Sequence, residues 1–256
     1  MSDAGTVTLS SSGDVATITI DRAEKRNALD STTASALRAA IEEASGARVT
    51  IVTGAGRAFC AGGDLAELER WSFLDDDEIG SVLYASFQGM IRAIRNSDSV
   101  VIAAINGAAV GAGLDLALAC DLRVAAAGAK LGQVWVGLGV IPGTGGAWLT
   151  QALAGPTVAA EMLLTGGLIT AEQALEANLV NAVVEPEELP AAVDALAQRI
   201  LRNPRDGVIA NKRAIVAATR DGLEAALDHA REVQPGRFTS DEFRAAVRAR
   251  LRRSGG

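Results

Sequence analysis

The 256-residue sequence holds one histidine and two cysteines, and these scarcities remove whole classes of chemistry. Cys60 and Cys120 stand far apart and form no C-x-x-C pair, so zinc clusters and disulfide scaffolds are excluded and no metal site is expected. His229 sits in LEAALDHARE, on the polar side of a predicted helix, which leaves no imidazole for a Ser-His-Asp or Cys-His site. There is no G-x-S-x-G elbow and no G-x-x-x-x-G-K-[ST] loop. TGAGRAFCAGG follows a predicted strand but lacks the third glycine of a dinucleotide fingerprint. An NAD-linked oxidoreductase would need nucleotide binding at that segment.

Aromatic residues make up only 4% of the chain against 49% hydrophobic residues, so the core must be built from Ala, Val, Leu and Ile. The length suits one large domain, or one domain with a small appendage. With 24 basic against 31 acidic side chains, a general nucleic-acid surface is not expected. Arg244, Arg248, Arg250, Arg252 and Arg253 nevertheless crowd the C-terminal segment. They read either as a solvated helix end that suits the helix dipole, or as a phosphate-binding patch.

The opening MSDAGTVTLSSSGD is polar, without an apolar signal core, and reads as mostly loop. The apolar run from Val100 to Cys120 is long enough for a membrane, but Asn106, Asp115 and three glycines interrupt it. A central carboxylate is costly in hydrocarbon, so the run reads as buried strand, glycine turn and buried helix. A soluble, cytoplasmic protein without membrane partners is expected.

Periodicity predicts strands at 15–21, 49–54, 100–107 and LRVAA, with helices at 31–45, from LAELERW, from Asp75 to about Ile94, and from Ala112 to Cys120. Asp30 or Ser31 is the natural cap of the first helix. Residues 54–64 read as a glycine-rich loop. Beyond Gly145 the pattern is chiefly helical, with a short β segment near NLVNAVVEP and three or four helices over 187–253. No fixed-length repeat stands out. The alternation predicts an α/β fold with a substantial sheet, and the helical end a packing appendage that builds an oligomer.

Two glycine loops, FCAGGDL and NGAAVGAGLDLALACD, each end near a helix start, where free backbone N–H groups collect. Two N–H groups converging on one point would form an oxyanion hole for a carbonyl or thioester oxygen; two ordinary tight turns are the alternative. Asp115, in the first turn of its helix, suits the dipole in a structural role. Its apolar neighbours Leu114, Leu116, Ala117 and Leu118 also predict partial burial, a raised pKa and the capacity to shuttle a proton.

These segments, together with RNALD, GLGVIPGTGG and LLTGGLITAEQALEANLVNAVV, resemble the enoyl-CoA hydratase/isomerase (crotonase) superfamily over essentially the whole chain. The resemblance implies a spiral of ββα units over 1–186 and a C-terminal helical trimerisation region over 187–256. It implies a homotrimer or homohexamer acting on a coenzyme A thioester, with no cofactor besides the CoA of the substrate. By position, the oxyanion donors are Gly63 and Ala112; glycine is usual at the second, but alanine keeps the N–H. Lys25, Arg26, Ala61, Asp64, Leu65, Trp135, Gly143, Arg250 and Arg253 are the candidate substrate-binding positions; from the charge cluster, Arg250 and Arg253 of a neighbouring subunit are expected to help hold CoA phosphates, aided by Lys25 or Arg26.

In the hydratases of this family two glutamates share the addition of water. The first falls on Asp115, one methylene shorter; the second falls on Trp135, which exchanges no protons. Some members place an aspartate eight residues later, where this chain has Gly143; the halobenzoyl-CoA dehalogenase branch, which has tryptophan at the position of Trp135, needs that aspartate as nucleophile. Trp135 therefore reads as lining an acyl pocket, by stacking or through its N–H, or as filling core volume. The residues favour isomerisation or another one-acid reaction through an enolate. Hydration at an atypical site and a catalytically weak acyl-CoA binder are the alternatives.

Overall fold

Val7–Ser12 (β1) pairs antiparallel with Val15–Ile20 (β2) in the computed structural model, which describes residues 6–254. In β2, Ala16, Ile18 and Ile20 are buried while Val15, Thr17 and Thr19 are only half covered, the period of two that a one-sided strand requires. The opening stretch is thus a strand from Val7 onward rather than mostly loop. Its run of serines hides the alternation because β1 is an edge strand with one exposed face. Residues 1–5 of the polar opening lie outside the described residues.

After helix α1 (Ser31–Glu43), which Asp30 caps through the Thr33 N–H, the chain repeats one turn. A strand enters a large sheet, a three-residue strand enters a small one, and helix follows. The first turn is β3 (Val49–Gly54), β4 (Ala58–Cys60) and helices α2 (Leu65–Trp71), α3 (Asp76–Val82) and α4 (Gly89–Asn96), with a π-helical turn joining α3 to α4. The second is β5 (Val100–Ile105), β6 (Ala108–Val110) and α5 (Ala112–Ala119). The third is β7 (Leu122–Ala126), β8 (Lys130–Gly132) and α6 (Gly146–Thr165). Then β9 (Leu168–Thr170), α7 (Ala171–Glu176) and β10 (Ala182–Val184) complete the two sheets.

The large sheet has the order β1-β2-β3-β5-β7-β10 and the small one β4-β6-β8-β9. All pairs are parallel except β1–β2 and β8–β9. This is the expected spiral of ββα units. Its turns differ in length because three helices fill the first and one the second, so the sequence shows no fixed period. The small-sheet strands are too short to display a period of two, and β4 lies inside the stretch read as loop.

Three helices follow: α8 (Leu189–Leu201), α9 (Arg205–Phe238) and α10 (Asp241–Ser254). Leu189, Val193 and Ala197 of α8 cover Val49, Ile102, Ala104, Val124 and Ala126 on the large sheet. Leu223, Leu227, Phe238, Phe243 and Val247 enter the main core, so apolar faces of the C-terminal helices are covered within this chain. Few aromatics suffice because they are concentrated: Trp71 meets Phe87 and Phe238 edge-on at 5.6 and 5.1 Å, and Phe238 meets Phe243 at 5.0 Å. That stack ties α10 to α2. Among the described residues no helix is long and apolar enough to cross a membrane.

Candidate active site

The loops after β4 and β6 meet. A Cβ built on Gly62, whose φ is +98°, would stand 2.8 Å from the Val110 carbonyl oxygen and 3.8 Å from the Ala112 nitrogen, so only glycine allows this approach. The Leu29 N–H donates to Gly62 O and the Asp64 N–H donates to Leu29 O, each at 2.7 Å. Those bonds use the edge of the strand that faces Leu29. The N–H of Gly63, between them, therefore points to the opposite edge, where Gly63 lines a cavity. Ala112 opens α5, and its N–H is among the first-turn donors with no acceptor inside the helix. Its φ is not positive, so its Cβ strains nothing.

The cavity encloses about 470 Å³ between Ala61, Gly63, Leu65, Gly111, Trp135 and Leu168. An outer trough of about 590 Å³, with Lys25, Asp64 and Ala66, continues it through Arg26, Ala61, Gly63, Leu65 and Arg253, which belong to both. The inner wall also carries Lys130 and Arg250, and among the described residues it has no carboxylate. Arg250 and Arg253 arrive on α10 of this same chain, which packs on α2 and on the turn Val134–Leu138. The expectation had the two arginines come from a neighbouring subunit; within this chain they reach its own cavity.

Asp115 is wholly buried rather than partly, and it does not line the cavity. Gln133 Nε2 donates to its Oδ1 at 2.8 Å, and the Thr144 hydroxyl donates to Oδ2. Gly146 packs so closely beneath the carboxylate that a Cβ there would overlap Oδ1. Burial pushes the Asp115 pKa from 3.8 up to about 6, although the Thr144 and Gln133 hydrogen bonds favour the anion. Trp135 is 7% exposed, and its indole Nε1 is buried without a partner.

Asp64 is held quite differently. Burial would raise its pKa, but donation from Lys25 and Arg22, both at 2.9 Å, outweighs burial and keeps the carboxyl below its ordinary range. The same carboxylate caps α2 at the Ala66 N–H. Asp64 and Lys25 thus pair with each other at the lip of the trough.

The enoyl-CoA hydratase/isomerase family model matches residues 10–253. The chain belongs to this family. It is 36% identical over 228 residues to the crotonyl-CoA hydratase of Syntrophomonas wolfei, covering 88% of this chain and 85% of that protein. It is 33% identical to the 1,2-epoxyphenylacetyl-CoA isomerase of Escherichia coli, over 93% of this chain and 92% of that one. A crystal structure of an enoyl-CoA hydratase/isomerase from Mycobacterium paratuberculosis superimposes with a TM-score of 0.89 at 28% identity, over 97% of this chain and all of that one.

Within this hydratase/isomerase fold, the positions singled out in the sequence divide into three groups. Arg26, Ala61, Gly63, Leu65, Trp135, Arg250 and Arg253 line the cavity, and Lys25 and Asp64 the trough that continues it. Ala112 and Asp115 lie just behind Gly111 on α5. Gly143 does not line the cavity: its carbonyl accepts from Gln88 Nε2 at 3.1 Å, and a Cβ there would come within 2.9 Å of Leu83. Sequence reasoning missed Gln133 and Thr144; their one signal is polarity in an otherwise apolar, glycine-rich run. It also missed Val110, Lys130 and Leu168, which line the cavity from strands too short to read.

Proposed function

We propose that this chain binds an acyl-CoA thioester with the carbonyl oxygen between the N–H groups of Gly63 and Ala112, and shifts a proton on the resulting enolate with Asp115 as its one acid–base group. Double-bond isomerisation, or another one-acid enolate reaction, is favoured over two-carboxylate hydration. The observation that carries this reading is a cavity wall without a carboxylate, with Trp135 beside Gly111. Two fixed donors aimed at the developing charge account for the glycine loops, since losing one such donor typically costs about 10²–10³ in rate. Asp115 follows Ala112 by three residues on α5, so its carboxyl neighbours the site of charge development.

Lys25, Arg26, Arg250 and Arg253 are assigned to the phosphates of CoA, and the reaction needs no cofactor beyond it. The region from 187 onward is assigned to assembly of a homotrimer or homohexamer. A second reading, an acyl-CoA binder with weak catalysis, is favoured by two facts: Asp115 is fully enclosed, and it does not line the cavity.

The deciding experiment follows deuterium incorporation from D₂O and hydratase absorbance together on crotonyl-CoA. Wild type is expected to exchange protons faster than it adds water, and Asp115→Asn to stop exchange while still binding acyl-CoA. Robust wild-type hydration that survives Asp115→Asn would overturn the proposal. Binding without exchange would leave the weak binder.

A further inference from the structure

The two carboxylates nearest the glycine loops stand in opposite kinds of shell. Asp64 faces two cations, Arg22 and Lys25, which donate but cannot accept and so favour its anion. Asp115 faces none among the described residues: its partners are a hydroxyl, from Thr144, and a carboxamide, from Gln133. Both can reverse. A threonine hydroxyl accepts as readily as it donates, and a glutamine amide presents an oxygen after half a turn. Gln133 Oε1 is buried and has no partner, although the Nε2 of the same amide is bonded to Asp115 and to Thr150 Oγ1. An idle acceptor so close to a carboxylate has no use while Asp115 is an anion. It becomes a partner when Asp115 carries a proton.

We infer that Thr144 and Gln133 are positioning residues that hold Asp115 in one place in both its protonated and its ionised form. In the ionised form both donate to it; in the protonated form one of them turns to accept the new O–H. The proton can then come and go without movement of the carboxyl group. This rests on Asp115 being the acid–base group. The elements packed on it add little charge to complicate its titration: β4 brings the neutral Cys60 thiol, whose pKa burial pushes up to about 12, and α6 brings Gly146 and the Thr150 hydroxyl.

The test titrates Asp115 directly, by carboxyl-carbon NMR on protein labelled at aspartate, and measures the pH profile of proton exchange on crotonyl-CoA beside it. Thr144→Val removes a donor to the anion, so the Asp115 midpoint should rise by about one pH unit. The rising limb of exchange should move up with it, while KM stays within about twofold; Thr144→Ser should restore both. A role confined to packing predicts lost stability with an unmoved midpoint, and that result would overturn the inference. If Thr144→Val does not fold, Gln133→Met carries the same expectation and the same refutation. If wild type exchanges no protons, the proposed function falls, while the NMR titration still decides whether the shell acts on Asp115.

Discussion

Trp135 lays the edge of its indole along Gly111: a Cβ on that glycine would stand 3.6 Å from ring atom Cε2 and 3.7 Å from Cζ2. Gly111 has φ 56° and ψ −122°, a backbone state other residues rarely hold, and Ala112 follows it directly. The ring thus flanks the helix start where charge is proposed to develop. A bulky side chain in this glycine-rich run is one wall of the cavity.

Replacing that wall with a carboxylate should change the chemistry. Trp135→Glu is expected to raise hydration relative to isomerisation on crotonyl-CoA, measured as the ratio of absorbance loss to deuterium uptake. Removing the ring from a site 7% exposed should also cost on the order of 3–5 kcal/mol of stability, so denaturant unfolding is measured alongside. An unchanged ratio in a folded variant would count against the assignment of Trp135 to the place of the missing acid.

Asp115 should make the protein less stable as the pH rises. Its folded pKa of about 6 lies above its ordinary 3.8, so the folded state holds the proton more tightly than the unfolded chain. The stabilisation is complete below the lower value and is lost as pH climbs through the higher one. Asp115→Asn escapes that loss. It should match wild type near pH 4 and exceed it by about 1–3 kcal/mol at pH 8. Asp64 has the opposite sign, its contribution being lost on acidification, so the quantity to plot is the difference between variant and wild type in thermal or urea unfolding. A constant difference across this range would mean that Asp115 titrates normally.

The arginines of α10 separate two readings of one charge cluster. If Arg250 and Arg253 hold CoA phosphates, free CoA should bind more weakly as salt is raised. The double variant Arg250→Ala, Arg253→Ala should bind several-fold more weakly at low salt, with a shallower salt dependence. Calorimetry at two ionic strengths measures both. Equal affinity in variant and wild type would reduce the cluster to a solvated helix end.

Legibility in the sequence followed the range of the interactions involved. The strands β2, β3, β5 and β7 were readable because each buries enough apolar residues to show its pattern locally, and Asp30 announced α1 by its chemistry. The three-residue strands were not, since their identity depends on neighbours far away in the chain. The glycine loops drew attention to Gly63 and Ala112, yet nothing local says which edge of a strand an N–H will face. Gly143 drew attention because some members of the family have an aspartate at that position, while its surroundings in this fold are Leu83 and Gln88. The depth of Asp115 was underestimated because Gly146, which lets α6 close over the carboxylate, is thirty-one residues away in the chain.

The docking of α10 on α2 has a consequence for the order in which the molecule is made. Arg26 and Gly63 are synthesised early, but the cavity they line also takes a side from Arg250 and Arg253. A ribosome must therefore translate almost the whole sequence before this wall can form, and the Trp71–Phe238–Phe243 stack cannot assemble sooner. Contacts so distant along the chain form slowly. Until they do, Trp71 lacks its Phe238 partner, and the nascent chain leaves uncovered the face of α2 on which α10 will pack.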